Sequence, residues 1–347
     1  MVRKEGVRLN DWRDALRDYW QWKEEAHVDE SRLRQFAKQM AGRHAFGRQE
    51  VERIQRIHAH WAETKLEPLK VTCRVKLVQV NEGSGEVEAL LSVMERHVHR
   101  DRQHRLRLEE ENRWHRMKLK MGRGRWHVVE DVPLTAPPTE GESGVAKPFS
   151  ADHRRTVSVG RTPAGFPGQD SRRSFWRDAG RDYRRDWAVR YAESWWNGHH
   201  PNFRAFAADC TNFVSQCLLA GGAPMTHVGR TDQGWWYLGN GGPDDRWSLS
   251  WAVAHSFRWY LSTSQTGLRA VEKRSASQLE PGDVICYDFD GDGRWQHNAI
   301  VVDFDHQGEP LVNAHSASVR HKHWTYRHSY AWTEQIQYKF FHIVDHF

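Results

Sequence analysis

Between residues 134 and 174 the chain has no apolar period. "PLTAPPTEGESGVAKPF" (133–149) and "GRTPAGFPGQDSRRS" (160–174) are made of proline, glycine, serine and charged residues. That composition reads as an exposed linker. Such a stretch cannot sit in a core, so it divides the 347 residues into two halves that must each build their own. The material is sufficient: 38% of the chain is hydrophobic, with 18 Trp and 14 Phe, which marks a folded protein. The expected layout is a domain over 1–133, a linker over 134–174 and a second domain over 175–347.

The first half starts with helical spacing. "DWRDALRDYWQWKEEA" and "GRQEVERIQRIHAHWAETKL" carry apolar residues three and four apart on charged backgrounds. From Lys70 the period becomes two. "KVTCRVKLVQV" and "EVEALLSVMERHV" alternate across a Gly/Ser/Asn turn, and a second hairpin surrounds Gly122–Gly124. Helices packed on one antiparallel sheet make an α+β unit, similar in pattern to the cone-like folds of the nuclear-transport-factor-2 type. The His- and Arg-rich stretch over 96–116 reads as an exposed strand or loop. No function is legible in this half.

The second half opens on a helix over 175–197. A loop, "GHHPNFRAFAAD", leads to "CTNFVSQCLLAGG" at 210–222. Beyond a glycine-rich stretch and a short helix around "SWAVAHSFRWYLS" come strands: "PGDVICYDF", "HNAIVVDF", "EPLVNAHSAS" and "QYKFFHIVDHF". The layout is again α+β, one helix ahead of an antiparallel sheet.

Cys210 stands at the predicted start of a helix. There the helix dipole and free backbone N–H groups favour thiolate. Asp209 is an N-cap candidate, and Gly221 and Gly222 fit the other end. Phe213, Val214, Cys217 and Leu218 form the stripe that docks the helix, so Cys217 reads as packing, as do Cys73 and Cys286 in strand patterns. A cysteine nucleophile needs a base. His297, at the start of a strand, is the candidate. On the next strand Asn313 and His315 share a face. A hairpin centred on Asp305–Gly308 pairs His297 close to position 316, which favours His315 over Asn313 as the group that orients the base, with Asn313 kept open.

These residues carry a resemblance. "YRRDWAVRYAESWW", "DCTNFVSQCLLAGGAPM", "LSWAVAHSFRWYL", "LEPGDVICYDFDGDGRWQHNAIVV" and "VNAHSAS" together look like the putative amidase domain family of Firmicute bacteria, related to the papain-like CHAP and NlpC/P60 cell-wall hydrolases. The likeness runs from about residue 180 to the end. It implies a papain-like, NlpC/P60-like domain that works as a Cys/His thiol hydrolase on amide bonds, with peptidoglycan-type peptides as candidate substrate. It carries Cys210 onto the nucleophile, His297 onto the base and His315 onto the third position. Asp209, Asn212, Ser215 and Gln216 fall in the motif. Ala208 stands where glycine is common. Backbone N–H groups near Cys210 and Thr211 would hold the oxyanion, while Asn212 and Gln216 read as supports of the loop beside the site. The competing reading is a catalytically idle papain-like module that grips a cell-wall or spore polymer.

Other classes fit less well. The net charge of +6 comes from 51 Lys and Arg against 45 Asp and Glu, a mixed surface rather than a polybasic one. "SVRHKHWTYRHSY" at 318–330 interleaves aromatics with basic residues, yet it lacks a nucleic-acid reading motif. Four cysteines with no CxxC pair give neither a disulfide scaffold nor a zinc-finger spacing. "DFDGDG" at 288–293 opens like a calcium loop, but Ala299 stands where the closing Glu belongs, so it reads as a turn. No cofactor or metal is therefore expected. Trp235, Trp236, Trp247 and Trp251 read as core or cleft wall. There is no apolar run long enough to span a bilayer and no signal-peptide core, which makes the expected compartment cytoplasmic as the sequence is written, and the cell wall or spore if a leader precedes it. The sequence gives no oligomeric state.

Overall fold

The computed structural model describes residues 11–40, 45–134 and 182–347. The linker expected over 134–174 lies outside the described residues, Leu134 excepted, as does the start of the helix expected from residue 175. The chain divides into two compact units. One takes the chain up to Leu134 together with Arg327–Tyr330; the other takes the rest. Both mix helices with antiparallel strands.

In the first unit α1 (Trp12–Val28), α2 (Glu30–Met40) and α3 (Ala45–Thr64) precede four strands. These are β1 (Glu67–Gly83), β2 (Glu86–Arg100), β3 (Leu106–Gly122) and β4 (Arg125–Leu134), paired in sequence order. Asp11 caps α1 by accepting from the Arg13 N–H at 3.2 Å. The inward face of β2 changes character along its length. Val87, Ala89, Leu91 and Val93 are buried, and so are Glu95, His97 and His99, with Asp101 just past the strand's end. β3 matches it: Met117 and Leu119 lie opposite the apolar half, while Glu109 and Glu111 lie opposite His97 and Glu95.

The 96–116 stretch is thus not an exposed strand, as its composition suggested. Alternate residues turn inward, and the charges among them are buried in pairs. Glu50 accepts from Lys23 at 3.2 Å and from Arg53 at 3.1 Å. Glu95 meets Arg53 at 3.4 Å and His97 at 2.6 Å. Burial alone would strip the Lys23 proton, but Glu50, Tyr330 and Asp131 outweigh it and hold the ammonium charged.

In the second unit a helix, α4, covers Arg185–Trp195. Residues ahead of it pair with the chain's last residues instead of continuing the expected helix: Asp182 bridges His346, and the Tyr183 N–H donates to the Asp345 carbonyl. Then come α5 (Cys210–Ala220), β5 (Tyr237–Leu238), β6 (Arg246–Trp247), α6 (Leu249–Ala252) and α7 (Ala254–Thr263). The remaining strands are β7 (Ala270–Lys273), β8 (Val284–Asp288), β9 (His297–Phe304), β10 (Pro310–Ala314), β11 (Ser318–His323) and β12 (Gln337–Ile343). Six of them form an antiparallel order β11-β10-β9-β8-β12-β7.

The two faces of this sheet have different cores. Val284, Cys286, Ile300 and Val302 pack with Phe213, Val214, Cys217 and Leu218 of α5. Ile285, Tyr287, Ala299 and Val301 pack with Val312, Ala314 and Tyr326. α5 ends at the glycines read from sequence. Gly222 adopts φ +93°, and a Cβ at Gly221 would lie 2.5 Å from the Tyr183 ring. The "DFDGDG" segment is a turn in which the Asp288 carboxylate accepts from the Gly291 and Gly293 N–H groups.

Removing a buried anion from the first unit strands its cations. Glu50→Ala should destabilise that unit by about 3–5 kcal/mol, read as a shift of its transition in chemical denaturation. An unshifted transition would mean that Lys23 and Arg53 find other partners.

Candidate active site

Cys210 is the first residue of α5 and is 4% exposed. Its Sγ lies 3.9 Å from the Gln296 carbonyl and 3.8 Å from the Thr211 hydroxyl, and the Asn298 backbone N–H donates to it. In a strand the carbonyl of one residue and the N–H two residues on point to the same side. The sulfur thus sits at the edge of β9, beside the backbone of His297. The Asn298 amide donates to the Thr211 hydroxyl at 2.9 Å, which ties the first turn of the helix to the strand.

The thiol does not behave as a helix-start position suggested. Burial pushes its pKa up, and the hydrogen bonds from Asn298 and Thr211 do not offset this. Loss of water outweighs the dipole because almost no solvent reaches the sulfur. At rest the group is a neutral thiol.

Asp209 holds the N-cap position, yet its side chain does not cap the helix. Oδ1 accepts from the Phe206 N–H at 3.0 Å and from the Asn212 amide at 2.9 Å. Oδ2 accepts from His315 Nδ1 at 2.7 Å and faces His199 Nδ1 at 3.4 Å. Burial disfavours the charge on Asp209, but His199 and His315 more than compensate and hold the carboxyl well below the usual range. His315 stacks on Phe213 at 4.0 Å, and its Nε2 donates to the Trp195 carbonyl at 2.7 Å.

His297 lies elsewhere. Strand alternation puts it with Ala299 and Val301, on the face away from α5. Its Nε2 meets the Tyr326 hydroxyl at 3.0 Å, and its ring touches Tyr287 and Phe289. Asn313 pairs with Ile300 across the strands, and continuing that register sets His315 opposite Asn298. The site thus brings Cys210, Thr211 and Asn298 together, and Asp209 together with His315. It does not join His315 or Asn313 to His297. Asn313 donates to Glu193 at 2.8 Å and accepts from the His321 N–H at 2.9 Å.

The other motif residues serve the surroundings. Asn212 also donates to the Arg204 carbonyl and accepts from the Trp251 indole. Gln216 accepts from the Tyr191 hydroxyl at 2.6 Å, and Ser215 joins Trp235 to the Trp251 carbonyl. His199, Asn298 and Tyr326 were not singled out from sequence. His199 stood in the "GHHPNF" loop, and Tyr326 in the basic aromatic run.

Residues 182–341 match the family described as "Putative amidase domain". This part of the chain is similar to that family. A Bacillus subtilis (strain 168) protein, "Uncharacterized protein YhbB", is 47% identical to the chain over 197 residues, which are 54% of this chain and 61% of that protein. The chain thus spans about 61% of the length of that relative. A solved structure, "Crystal structure of intermembrane space region of chloroplast protein ARC6", is 14% identical, covers 35% of this chain and 95% of its own, and has a TM-score of 0.27. Among the described residues no helix is long and apolar enough to cross a membrane.

A thiol whose pKa is raised is protonated at neutral pH and becomes a nucleophile only as pH climbs beyond the ordinary thiol range. Iodoacetamide should therefore label Cys210 slowly at pH 7 and progressively faster above pH ~9, read by peptide mass spectrometry. Fast labelling at pH 7 would show that the resting group is a thiolate.

Proposed function

We propose that the second unit is a cysteine-dependent hydrolase of amide bonds, with Cys210 as nucleophile and His297 as base. The observation that supports this best is the seat of the sulfur. It lies at the start of a helix whose first N–H groups are not capped by the Asp209 side chain, next to the backbone of His297. This reading requires the His297 ring, which faces away from α5 beside Tyr326, to swing round the end of β9 so that Nδ1 reaches the thiol proton. Tyr326 holds the base at rest, the task first assigned to His315 or Asn313.

The reaction runs in two halves. Nδ1 takes the Cys210 proton and the sulfur bonds to the amide carbonyl carbon. The oxyanion faces the N–H groups at the start of α5. His297 then protonates the nitrogen, the C–N bond breaks and an amine leaves a thioester. Water attacks the thioester while His297 accepts its proton, and the acid and the thiol are released. His315 suits neither proton step, because both its nitrogens face oxygen acceptors. Peptidoglycan-type peptides are the proposed substrate.

Incubation with peptidoglycan fragments should release new amine and carboxyl termini. Cys210→Ser should abolish release, by at least about a thousandfold, and His297→Asn should slow it by about 10²–10⁴. Undiminished release by Cys210→Ser overturns the assignment. Binding of fragments without release, unchanged in Cys210→Ser, favours the grip-only module, a reading that the neutral resting thiol supports.

A further inference from the structure

His199, Asp209 and His315 each turn one ligand atom to a common point, all within 4.8 Å of one another. Two of them converge on a single oxygen, Asp209 Oδ2, at 2.7 Å from His315 Nδ1 and 3.4 Å from His199 Nδ1. The Trp195 carbonyl can only accept, so Nε2 of His315 carries a hydrogen. Nδ1 then points at a carboxylate oxygen, and a positive centre must lie between them. A proton can serve, and so can a metal ion.

The surroundings are those of a metal site. A ligating imidazole characteristically donates its other N–H to a carbonyl or carboxylate, and a ligating carboxylate is itself held by hydrogen bonds. His315 does the first through Trp195. Asp209 does the second through the Phe206 N–H and the Asn212 amide, both on the oxygen that faces away from the histidines. His199 supplies the way in, since its side chain is 54% exposed while those of Asp209 and His315 are 3% and 5% exposed.

We propose that His199, Asp209 and His315 bind a divalent transition metal of the zinc class. Two imidazoles and one carboxylate suit zinc, cobalt or nickel better than the all-oxygen demands of calcium or magnesium. Three protein ligands leave at least one coordination position for water. Uptake displaces the proton between His315 and Asp209. The inference does not depend on the role of Cys210, whose sulfur turns to Gln296 and Asn298.

A similar cluster in the first unit is built differently. His27, Glu95 and His97 also bring three ligand atoms within 4.8 Å. There, however, the Arg53 guanidinium lies 3.3 Å from His27 Nε2 and 3.4 Å from both Glu95 oxygens. A cation already fills that place. At Asp209 no arginine or lysine contacts either oxygen among the described residues.

The test is titration of the untagged, chelator-stripped chain with Co²⁺. One equivalent should develop the visible absorption of four- or five-coordinate cobalt, without an intense thiolate-to-cobalt band, and Zn²⁺ should bleach it. His199→Ala, at an exposed position that leaves the fold intact, should weaken binding about tenfold or more. Cys210→Ser should bind as the parent does. No saturable absorption, binding indifferent to His199→Ala, or binding lost in Cys210→Ser would each overturn the site. Hydrolysis assays run with chelator present keep this result separate from that of the thiol mechanism.

Discussion

The Asp209 carboxylate is the contact on which the second unit's site depends. An isolated buried carboxylate costs several kcal/mol, so it must be surrounded by donors. Here the donors come from three separate places. Phe206 lies on the loop before the helix, Asn212 in the helix's first turn, and His315 just past β10. One charge thus fixes loop, helix and strand end against each other. Cys210 follows it directly in the chain, so the position of the sulfur comes from Asp209 as much as from the apolar stripe of α5. That also explains why the side chain does not cap the helix: both oxygens are already engaged, and the first-turn N–H groups stay uncapped by it.

The same rule organises the first unit at larger scale. The inward face of β2 and β3 is apolar at one end and charged at the other, and the charged end survives burial only because each group meets its opposite. Arg53 sits at the centre, reaching Glu50 and Glu95, with its guanidinium 4.5 Å from the Tyr330 ring. Tyr330 comes from the far end of the sequence and belongs to this unit with its neighbours from Arg327. Burial lowers the pKa of His27 to about 3 despite the pull of Glu95, so that ring stays neutral and accepts from Arg53.

Much of this was legible from residue patterns, and the failures have physical causes. Period-two and period-three-and-a-half spacing located the helices, the hairpins and the start of α5 at Cys210. The strand register was legible too, since pairing Asn313 with Ile300 continues to position 316 opposite His297. What was misjudged is its consequence. Residues that oppose each other share a face, so His297 faces with positions 314 and 316 rather than with His315. Composition failed at 96–116 because charge predicts exposure only where partners are absent. It also failed at Phe206 and Trp195, whose backbone groups do polar work that no side-chain pattern records.

The buried, neutral thiol has a consequence for how such a site could work. Separating charge between Cys210 and His297 in a nearly dry environment is unfavourable before substrate arrives, because neither ion is solvated. The N–H groups at the start of α5 act on the sulfur only weakly in the resting state, yet they act fully on an oxyanion placed against them. In the proposed reaction, then, the stabilisation belongs to the tetrahedral intermediate rather than to a preformed thiolate. Proton transfer and carbon–sulfur bond formation would be coupled in it, and the thiol would remain unreactive toward small electrophiles while reacting with an amide that fills the site. This division separates a thiol that is protected at rest from one that is inert. Cys217 shows the second case: it is just as buried, but it sits in mid-helix against Phe213 and Leu218, where no oxyanion could ever meet a free N–H.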